Sequence, residues 1–341
     1  MKESVVIINN EKCMEVNKQV YCENIEMKSI PESLSRFFDI NLILRKGIIN
    51  PSHKIEVIKT SLSSNIISFI FSILKKFSNK NAKFLIIAIT PYTFIAYLLL
   101  AIGNKKIFLY LRSDGLEEYK LILGKNFVWI YRFMLFLMCK RSTIFCVNNK
   151  IIAGRNYKLV LPSQLDNSWL ENIQDSNLKE IKLLYVGRIK IEKGIFSLLN
   201  LLKKISLNLP HSLTLVGHGK KISNLPNNVN LLSPVSKPSE LIKIYDNHNI
   251  TILPSFTEGH PQVLIESLAR RRPIIIFSEI DFIKKNYQGV FVSTRNADYL
   301  AETIKYIIEN YHAISELMKK NVLPSKAMFI KELVKQLANG F

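Results

Sequence analysis

Between residues 181 and 310 the chain alternates short apolar runs with amphipathic ones, and this alternation constrains its fold most. IKLLYVG, HSLTLVG, NVNLLSPV, ITILPSF, PIIIFS and GVFVS read as strands. KGIFSLLNLLKKI, SELIKIYDNH, PQVLIESLARR and ADYLAETIKYIIENY read as helices. Runs that are apolar throughout, without polar alternation, suit strands covered on both faces. Such strands interleaved with helices predict a doubly wound parallel α/β sheet. Ligands of such sheets bind at the carboxyl ends of the strands.

The first half is less regular but points the same way. VVIIN and FDINLILRKG read as strands, and SLSSNIISFIFSILKKF as a helix. Phe84 to Gly103, FLIIAITPYTFIAYLLLAIG, is uncharged and about long enough to span a bilayer. It divides at Thr90-Pro91, however. KFLIIAIT reads as a buried strand and PYTFIAYLLLAIG as a helix with proline in its first turn. With IFLYL following, this is a parallel βαβ unit rather than a membrane span. RSDGLEEYK reads as a loop, GKNFVWIYRFMLFLMCKRS as a long apolar helix, and STIFCVN and YKLVLP as closing strands. The polar stretch SQLDNSWLENIQDSNLKE is the expected linker. A chain of 341 residues exceeds the usual size of one core. Two doubly wound domains are therefore expected, facing one another across a cleft.

The chain carries 47 basic and 27 acidic residues, a formal net charge of +20. The excess is concentrated before residue 166, with 24 basic against 11 acidic residues. Such a field favours phosphate-bearing partners: nucleotide ligands, anionic headgroups or nucleic acid. No zinc-finger spacing, RNA-binding aromatic signature or long basic tract accompanies it, so no nucleic-acid partner is expected. Cys13, Cys22, Cys139 and Cys146 lack CxxC spacing, which argues against a disulfide framework or zinc site and suits a reducing compartment. The start of the chain, MKESVVIINNEKC, has no long apolar signal core, so a cytoplasmic location is expected.

Three stretches could carry chemistry. After IKLLYVG, which ends at Gly187, come Arg188 at the strand exit and Lys193 at the entrance to the next helix. Two cations there can neutralise a pyrophosphate, Arg as a fork and Lys as a point charge. The ordinary alternative is pairing with nearby acids on a solvated loop. In LTLVGHGK, Gly217 and Gly219 follow another strand and permit close approach of backbone to a phosphate or base. Many tight strand exits look the same. LPSFTEGHPQVLIES sets Glu258 before a glycine turn and Glu266 inside a helix. Amides from Gly259 to Val263 would sit at the positive end of that helix. A carboxylate accepting from two neighbouring hydroxyls is one way to grip a ribose.

Taken together, YVGRIKIEKG, TLVGHGK, SPV, LPSFTEGHPQVLIESLA and RRPII resemble, in order and spacing, the retaining GT-B glycosyltransferases of family 4, the "glycosyl transferases group 1" type. The resemblance is strong over residues 181–280 and present only in outline before them. It implies an acceptor-binding Rossmann-like domain over 1–165 and a nucleotide-sugar-binding one over 166–320. A C-terminal helix within 321–341 would pack back on the first. It implies that Arg188 and Lys193 bind the donor diphosphate, with Glu258 at the catalytic centre. Glu258, the backbone amides of Gly259, His260 and Gln262, and Pro261 between them would hold the donor sugar and phosphate. Glu266 would take the ribose hydroxyls, Gly187, Gly217 and Gly219 would line the nucleotide site, and the backbone near Val235 the base. The nucleotide-sugar would be a substrate, with no cofactor. No DxD carboxylate pair is present, so no metal is expected.

The first half departs from the family pattern. VVIINNEKCMEVNKQVY lacks the glycine-rich loop often found after the first strand. Where many members carry a histidine, LYLRSDG offers Arg112, Ser113 and Asp114. Asp114 is the candidate to accept the acceptor's hydroxyl proton and Arg112 to hold a phosphate; a structural pairing of the two is the other reading. The family setting implies a glycan or lipid-linked acceptor in surface polysaccharide synthesis. The helix from Phe127 to Arg141, apolar and basic, suits peripheral contact with an anionic membrane, or else burial in the domain core. A nucleotide-sugar epimerase on the same fold and a non-catalytic nucleotide-sugar-binding subunit are the competing readings.

Overall fold

The computed structural model describes all residues except 1, 50, 58, 153, 206, 208–209, 220–221, 223–224 and 340–341, and the side chains of 285 and 286. It forms two compact units, Met1–Pro162 with Ala327–Phe341, and Ser163–Lys326.

The first unit opens with β1 (Ser4–Val16), β2 (Gln19–Cys22), α1 (Ile25–Leu34), β3 (Asp39–Lys46), β4 (His53–Ile55) and β5 (Thr60–Ser63). It continues with α2 (Ile66–Leu74), β6 (Lys83–Ile87), α3 (Pro91–Ile102), β7 (Lys106–Leu111) and α4 (Gly115–Leu123). Then come α5 (Val128–Lys140), β8 (Ser142–Cys146) and β9 (Lys158–Leu159). The parallel sheet runs β5-β3-β1-β6-β7-β8-β9. Val5 to Ile8 and Phe84 to Ile87 are almost wholly buried, as strands covered on both faces must be.

The uncharged run from Phe84 to Gly103 is β6 followed by α3. Thr90 accepts from the Thr93 amide while the Thr93 side chain accepts from the Thr90 amide, a reciprocal cap that starts the helix beside Pro91. Thr93, Ala96, Tyr97 and Leu100 then give α3 its buried stripe. Among the described residues no helix is long and apolar enough to cross a membrane.

β1 differs from the sequence reading. It does not stop after VVIIN but spans 13 residues in all, its end pairing antiparallel with β2. Asn17 and Lys18 make the turn, with φ of 50° and 61°. Both values lie in the left-handed region that a two-residue hairpin turn of matching twist requires, and asparagine tolerates it. β4 pairs with β2, so a small antiparallel ribbon follows the buried part of the first strand.

The second unit holds β10 (Ile181–Val186), α6 (Ile195–Leu202), β11 (His211–Val216), β12 (Val229–Leu232), α7 (Pro238–Asp246) and β13 (Ile250–Leu253). It closes with α8 (Gln262–Ala269), β14 (Ile274–Phe277), β15 (Val290–Ser293), α9 (Ala297–Glu309) and α10 (Tyr311–Met318). Its sheet is parallel throughout, in the order β12-β11-β10-β13-β14-β15. The chain builds outward from β10 to β12, then restarts at β13 on the other side of β10. The carboxyl ends of β10 and β13 therefore flank the topological switch point, where open α/β sheets bind ligands.

The stretch read as a linker belongs to this unit. Trp169 is buried edge-on against Tyr245, with ring centroids 5.7 Å apart. The carbonyls of Trp169, Glu171 and Asn172 accept from Arg270, and that of Gln174 from Arg272. Polar composition suggested a solvated connection, but two buried guanidinium groups consume its carbonyls instead. α11 (Lys326–Ala338) ends the chain and buries Phe329, Ile330, Leu333 and Leu337 in the core of the first unit.

Candidate functional site

The site is built from two loops at the switch point of the second unit. After β10 the chain passes Gly187 and the exposed Arg188, whose carbonyl accepts from the Tyr185 hydroxyl at 2.7 Å. A 3-10 turn over Ile191–Lys193 follows, closed by Gly194 at φ 68°. After β13 come Pro254, Ser255 and Phe256, then Glu258, buried Gly259, His260, and Pro261 immediately before α8.

Three glycines make the loop packing possible. A methyl group at Gly194 would lie 1.8 Å from the Pro254 carbonyl oxygen. One at Gly217 would lie 1.9 Å from the Gly187 oxygen, and one at Gly219 2.3 Å from that of Ile189. What approaches Gly217 and Gly219 is thus the neighbouring strand exit. Pairing of β10 with β11 continues past both strand ends through the Ile189 amide, which donates to His218 O.

The loops converge on an ion pair. Lys193 Nζ donates to Glu258 Oε1 at 2.6 Å, and Ser255 Oγ donates to the same oxygen at 2.7 Å. The two charged side chains are 21% and 10% exposed, so the pair is partly shielded from water. The amide of Phe256 donates to Glu192 O, tying one loop to the other beside Lys193. Burial holds the Tyr185 phenol protonated far above its ordinary range, and the neighbouring Glu258 carboxylate adds to this.

Glu266 lies one turn into α8 and is almost fully buried. Tyr245 on α7 donates its hydroxyl to Glu266 Oε2 at 2.9 Å. Burial raises the Glu266 carboxyl to about 7, the Tyr245 hydrogen bond holding it back from rising further. A carboxyl whose folded value exceeds its ordinary one favours folding most where both states are protonated. That stability is lost as pH climbs from about 4 toward 7, an effect on the order of 3 kcal/mol. Glu266→Gln mimics the protonated form. It is expected to raise the midpoint of thermal unfolding at pH 8 and to change it little at pH 5. An equal shift at both values, read by a dye-based melt, would contradict the buried-carboxyl account.

The structure brings Gly187, Arg188, Lys193, Glu258 to Gln262 and Glu266 onto the two loops and the helix they introduce. Gln262 is also engaged by the segment before β10, its Oε1 accepting from the Gln164 amide. Gly217 and Gly219 lie at the next strand exit, beyond β11. Val235 is half-buried in the segment after β12. The ion pair of Lys193 with a nearby acid, one of the two readings of the sequence, is formed, and its partner is the other predicted site residue. In the first unit Arg112 is paired through Nη1 with Glu26 Oε2 of α1, not with Asp114. Burial lowers the pKa of the Arg112 guanidinium, but Glu26, with smaller contributions from Tyr110 and Glu11, brings it above its ordinary value. Asp114 caps α4, accepting from the amides of Leu116 and Glu117. Among the described residues no three His, Cys, Asp or Glu side chains group as metal ligands.

Sequence reasoning missed Ser255, Tyr185, Tyr245 and Arg295. Tyr185 and Tyr245 look like core aromatics in any apolar pattern, and Ser255 like a loop residue. Arg295, after β15, reaches Glu279, 16 positions away, and Pro254 and Ser197, 41 and 98 positions away.

Two parallel-sheet Rossmann-like units make up the GT-B fold, and a charged pair lies at the switch point of the second. Residues 170–322, most of the second unit, match the family described as glycosyl transferases group 1. An uncharacterized glycosyltransferase of Methanocaldococcus jannaschii is 22% identical over 74% of this chain and 71% of its own length. A capsular polysaccharide biosynthesis glycosyltransferase of Staphylococcus aureus is 30% identical over 43% of this chain and 42% of its own length. The structure of Anabaena HepE in complex with UDP and glucose shares the fold at a TM-score of 0.70 and 11% identity, covering 98% of this chain and 100% of that one. The epimerase and non-catalytic readings gain no support from these likenesses.

Proposed function

We propose that this chain is a retaining, family 4 type glycosyltransferase. It moves a sugar from a nucleotide-diphosphate sugar to a glycan or lipid-linked acceptor in surface polysaccharide assembly. The observation that carries this is the Lys193–Glu258–Ser255 cluster between β10 and β13, with Glu266 one turn into α8. Lys193 and the exposed Arg188 supply positive charge for a diphosphate, and the amides from Gly259 to Gln262 add the positive end of α8. Glu266 is suited to accept ribose hydroxyls in place of Tyr245, once ionised.

In the reaction the bond from the anomeric carbon to the diphosphate oxygen breaks. The acceptor oxygen bonds to that carbon on the same face, and its proton passes to the departing phosphate. No protein nucleophile is used; stabilising the charge on the diphosphate is the main contribution of the enzyme. The chain needs no cofactor for this. Arg112 and Asp114, held by Glu26 and by α4, remain candidates for the acceptor side. The capsular relative supports the polysaccharide setting.

Peripheral membrane contact is part of the proposal. α5 buries Tyr131, Met134 and Met138, leaving Trp129, Phe133 and Phe136 at 65%, 52% and 47% exposure on its outer stripe. Residues 61–150 carry thirteen basic side chains against three acidic ones. Aromatics at the headgroup level beside cations suit an anionic surface.

A melt screen against UDP-, GDP-, ADP- and CDP-sugars tests the donor, since a ligand of the folded state raises the unfolding midpoint. The stabilising donor is then incubated with lipid-linked acceptors in phosphatidylglycerol vesicles, and the anomer of the product is read by NMR. Stabilisation by one donor and a product of unchanged anomeric configuration are expected. Inversion, or isomerised donor with no acceptor added, would overturn the reading. Binding to phosphatidylcholine and phosphatidylglycerol vesicles alike would overturn the charged-membrane part alone.

A further inference from the structure

We propose that Arg295 is a positioning residue for sugar transfer, setting where Lys193 and Glu258 meet the donor; this rests on the reading of that pair given above. Arg295 follows β15 and is remote in sequence from both loops. Its guanidinium nonetheless makes contacts on three sides. Nε donates to Glu279 Oε1 at 2.6 Å, Nη1 to Ser197 Oγ at 3.3 Å, and Nη2 to Pro254 O at 2.8 Å. Its guanidinium carbon also lies over two rings, 3.9 Å from the centre of Phe256 and 4.7 Å from that of Phe277.

These partners are the structural parts of the site. Pro254 and Phe256 flank Ser255, whose hydroxyl holds Glu258. Ser197 lies in the first turn of α6, directly after Lys193 and Gly194. Gly194 itself packs on the Pro254 carbonyl, with Arg295 Nη1 3.4 Å from where its Cβ would be. The loop after β13 is therefore fastened to the loop after β10 at Gly194 and at the Phe256 amide. Arg295 clamps that junction through a carbonyl, a hydroxyl and a ring. A planar fork can do this, whereas a lysine ammonium is a compact point charge that does not span these acceptors and cannot stack in the same way. Glu279, 32% exposed, neutralises the clamp, so it adds little net charge to the site.

Arg295 thus acts on the diphosphate and sugar end, carried by Lys193 and Glu258, and not on Glu266. Arg295→Met and Arg295→Lys are compared with the parent protein and with Lys193→Ala. Binding of UMP, UDP, GMP and GDP is measured by calorimetry, alongside the unfolding midpoint and hydrogen exchange of the Phe256 amide. For the base that binds, Arg295→Met is expected to weaken the diphosphate about tenfold and the monophosphate less than about threefold. Phe256 should lose protection while strand amides keep theirs, and Arg295→Lys should fall between parent and Arg295→Met. A purely structural role would lower the midpoint and weaken both nucleotides equally, which overturns the proposal. So would unchanged diphosphate binding in Arg295→Met while Lys193→Ala weakens it. If Lys193→Ala leaves diphosphate binding intact, the assignment of the pair itself has failed.

Discussion

Lys193→Ala is expected to reduce sugar transfer by about 10²–10³-fold while both units stay folded, the size of effect seen when one charge-stabilising donor is removed from an active site. Lys193 has two possible duties. It neutralises Glu258, which is only 10% exposed and has its nearest cation in Lys193 at 2.6 Å. It also lies one residue before the Gly194 turn at the head of α6, where a departing diphosphate would meet it. A double-mutant cycle separates the two. If Lys193 serves only its partner, Glu258→Gln removes the need for it. Adding Lys193→Ala to that background would then cost nothing further. If it stabilises the leaving group, most of the loss persists in the Glu258→Gln background, and this is the expected outcome. The loss should fall on kcat with a smaller change in KM, because charge on the diphosphate grows in the transition state.

The fold was legible where burial leaves a simple mark. Strands covered on both faces have few polar positions, so β10, β11, β13 and β14 stood out as largely apolar runs, and α9 by its stripe of Leu300, Ile304 and Ile307. Thr90-Pro91 divided an apparent membrane span because a cap and a proline start helices. The hairpin of β1 and β2 was not legible. Its second half, NNEKCMEV, is half polar and pairs at the edge of the sheet, and its turn uses Asn-Lys rather than Asn-Gly. The segment before β10 was misread for a related reason: its polar residues signal solvent, while the arginines that bury it sit about a hundred positions later.

The site was legible as loop positions and not as contacts. Glu258, Glu266, Arg188 and Lys193 each stand next to a strand end or helix start, and local pattern places such residues at one sheet edge. Which partner each meets depends on packing between elements. Lys193 with Glu258 is a contact over 65 positions, and Tyr245 with Glu266 joins two helices. Arg112 shows the same limit. Beside Asp114 in sequence, it reaches Glu26 on α1, 86 positions away, while Asp114 turns to the α4 amides.

Arg270→Ala is expected to destabilise the second unit by about 3–5 kcal/mol, the cost of removing one partner from a buried charge pair. Arg270 is 1% exposed and meets both oxygens of Asp246, at 2.9 and 2.8 Å, and three carbonyls at 2.8–3.0 Å. Truncation leaves those carbonyls without their donor and Asp246 with the longer contact to Arg272 at 3.6 Å. For a unit of this size each kcal/mol shifts the midpoint by about 2–4 °C, so a fall of roughly 10 °C is expected. Two units need not unfold together, so hydrogen exchange should accompany the melt. Amides of β10 and β13 should lose protection while those of β6 and β7 keep theirs. The effect should reach the site as well. Trp169, in the segment Arg270 fastens, packs on Tyr245, and Tyr245 holds Glu266. Loosening the segment should therefore weaken nucleotide binding at a temperature where the unit is still folded. Arg270→Lys keeps the charge but not the fork, and is expected to recover part of the midpoint. A loss under about 1 kcal/mol would mean that the segment is held instead by Trp169 and by Asn249, whose amide bonds Asn177 O and Glu180 O.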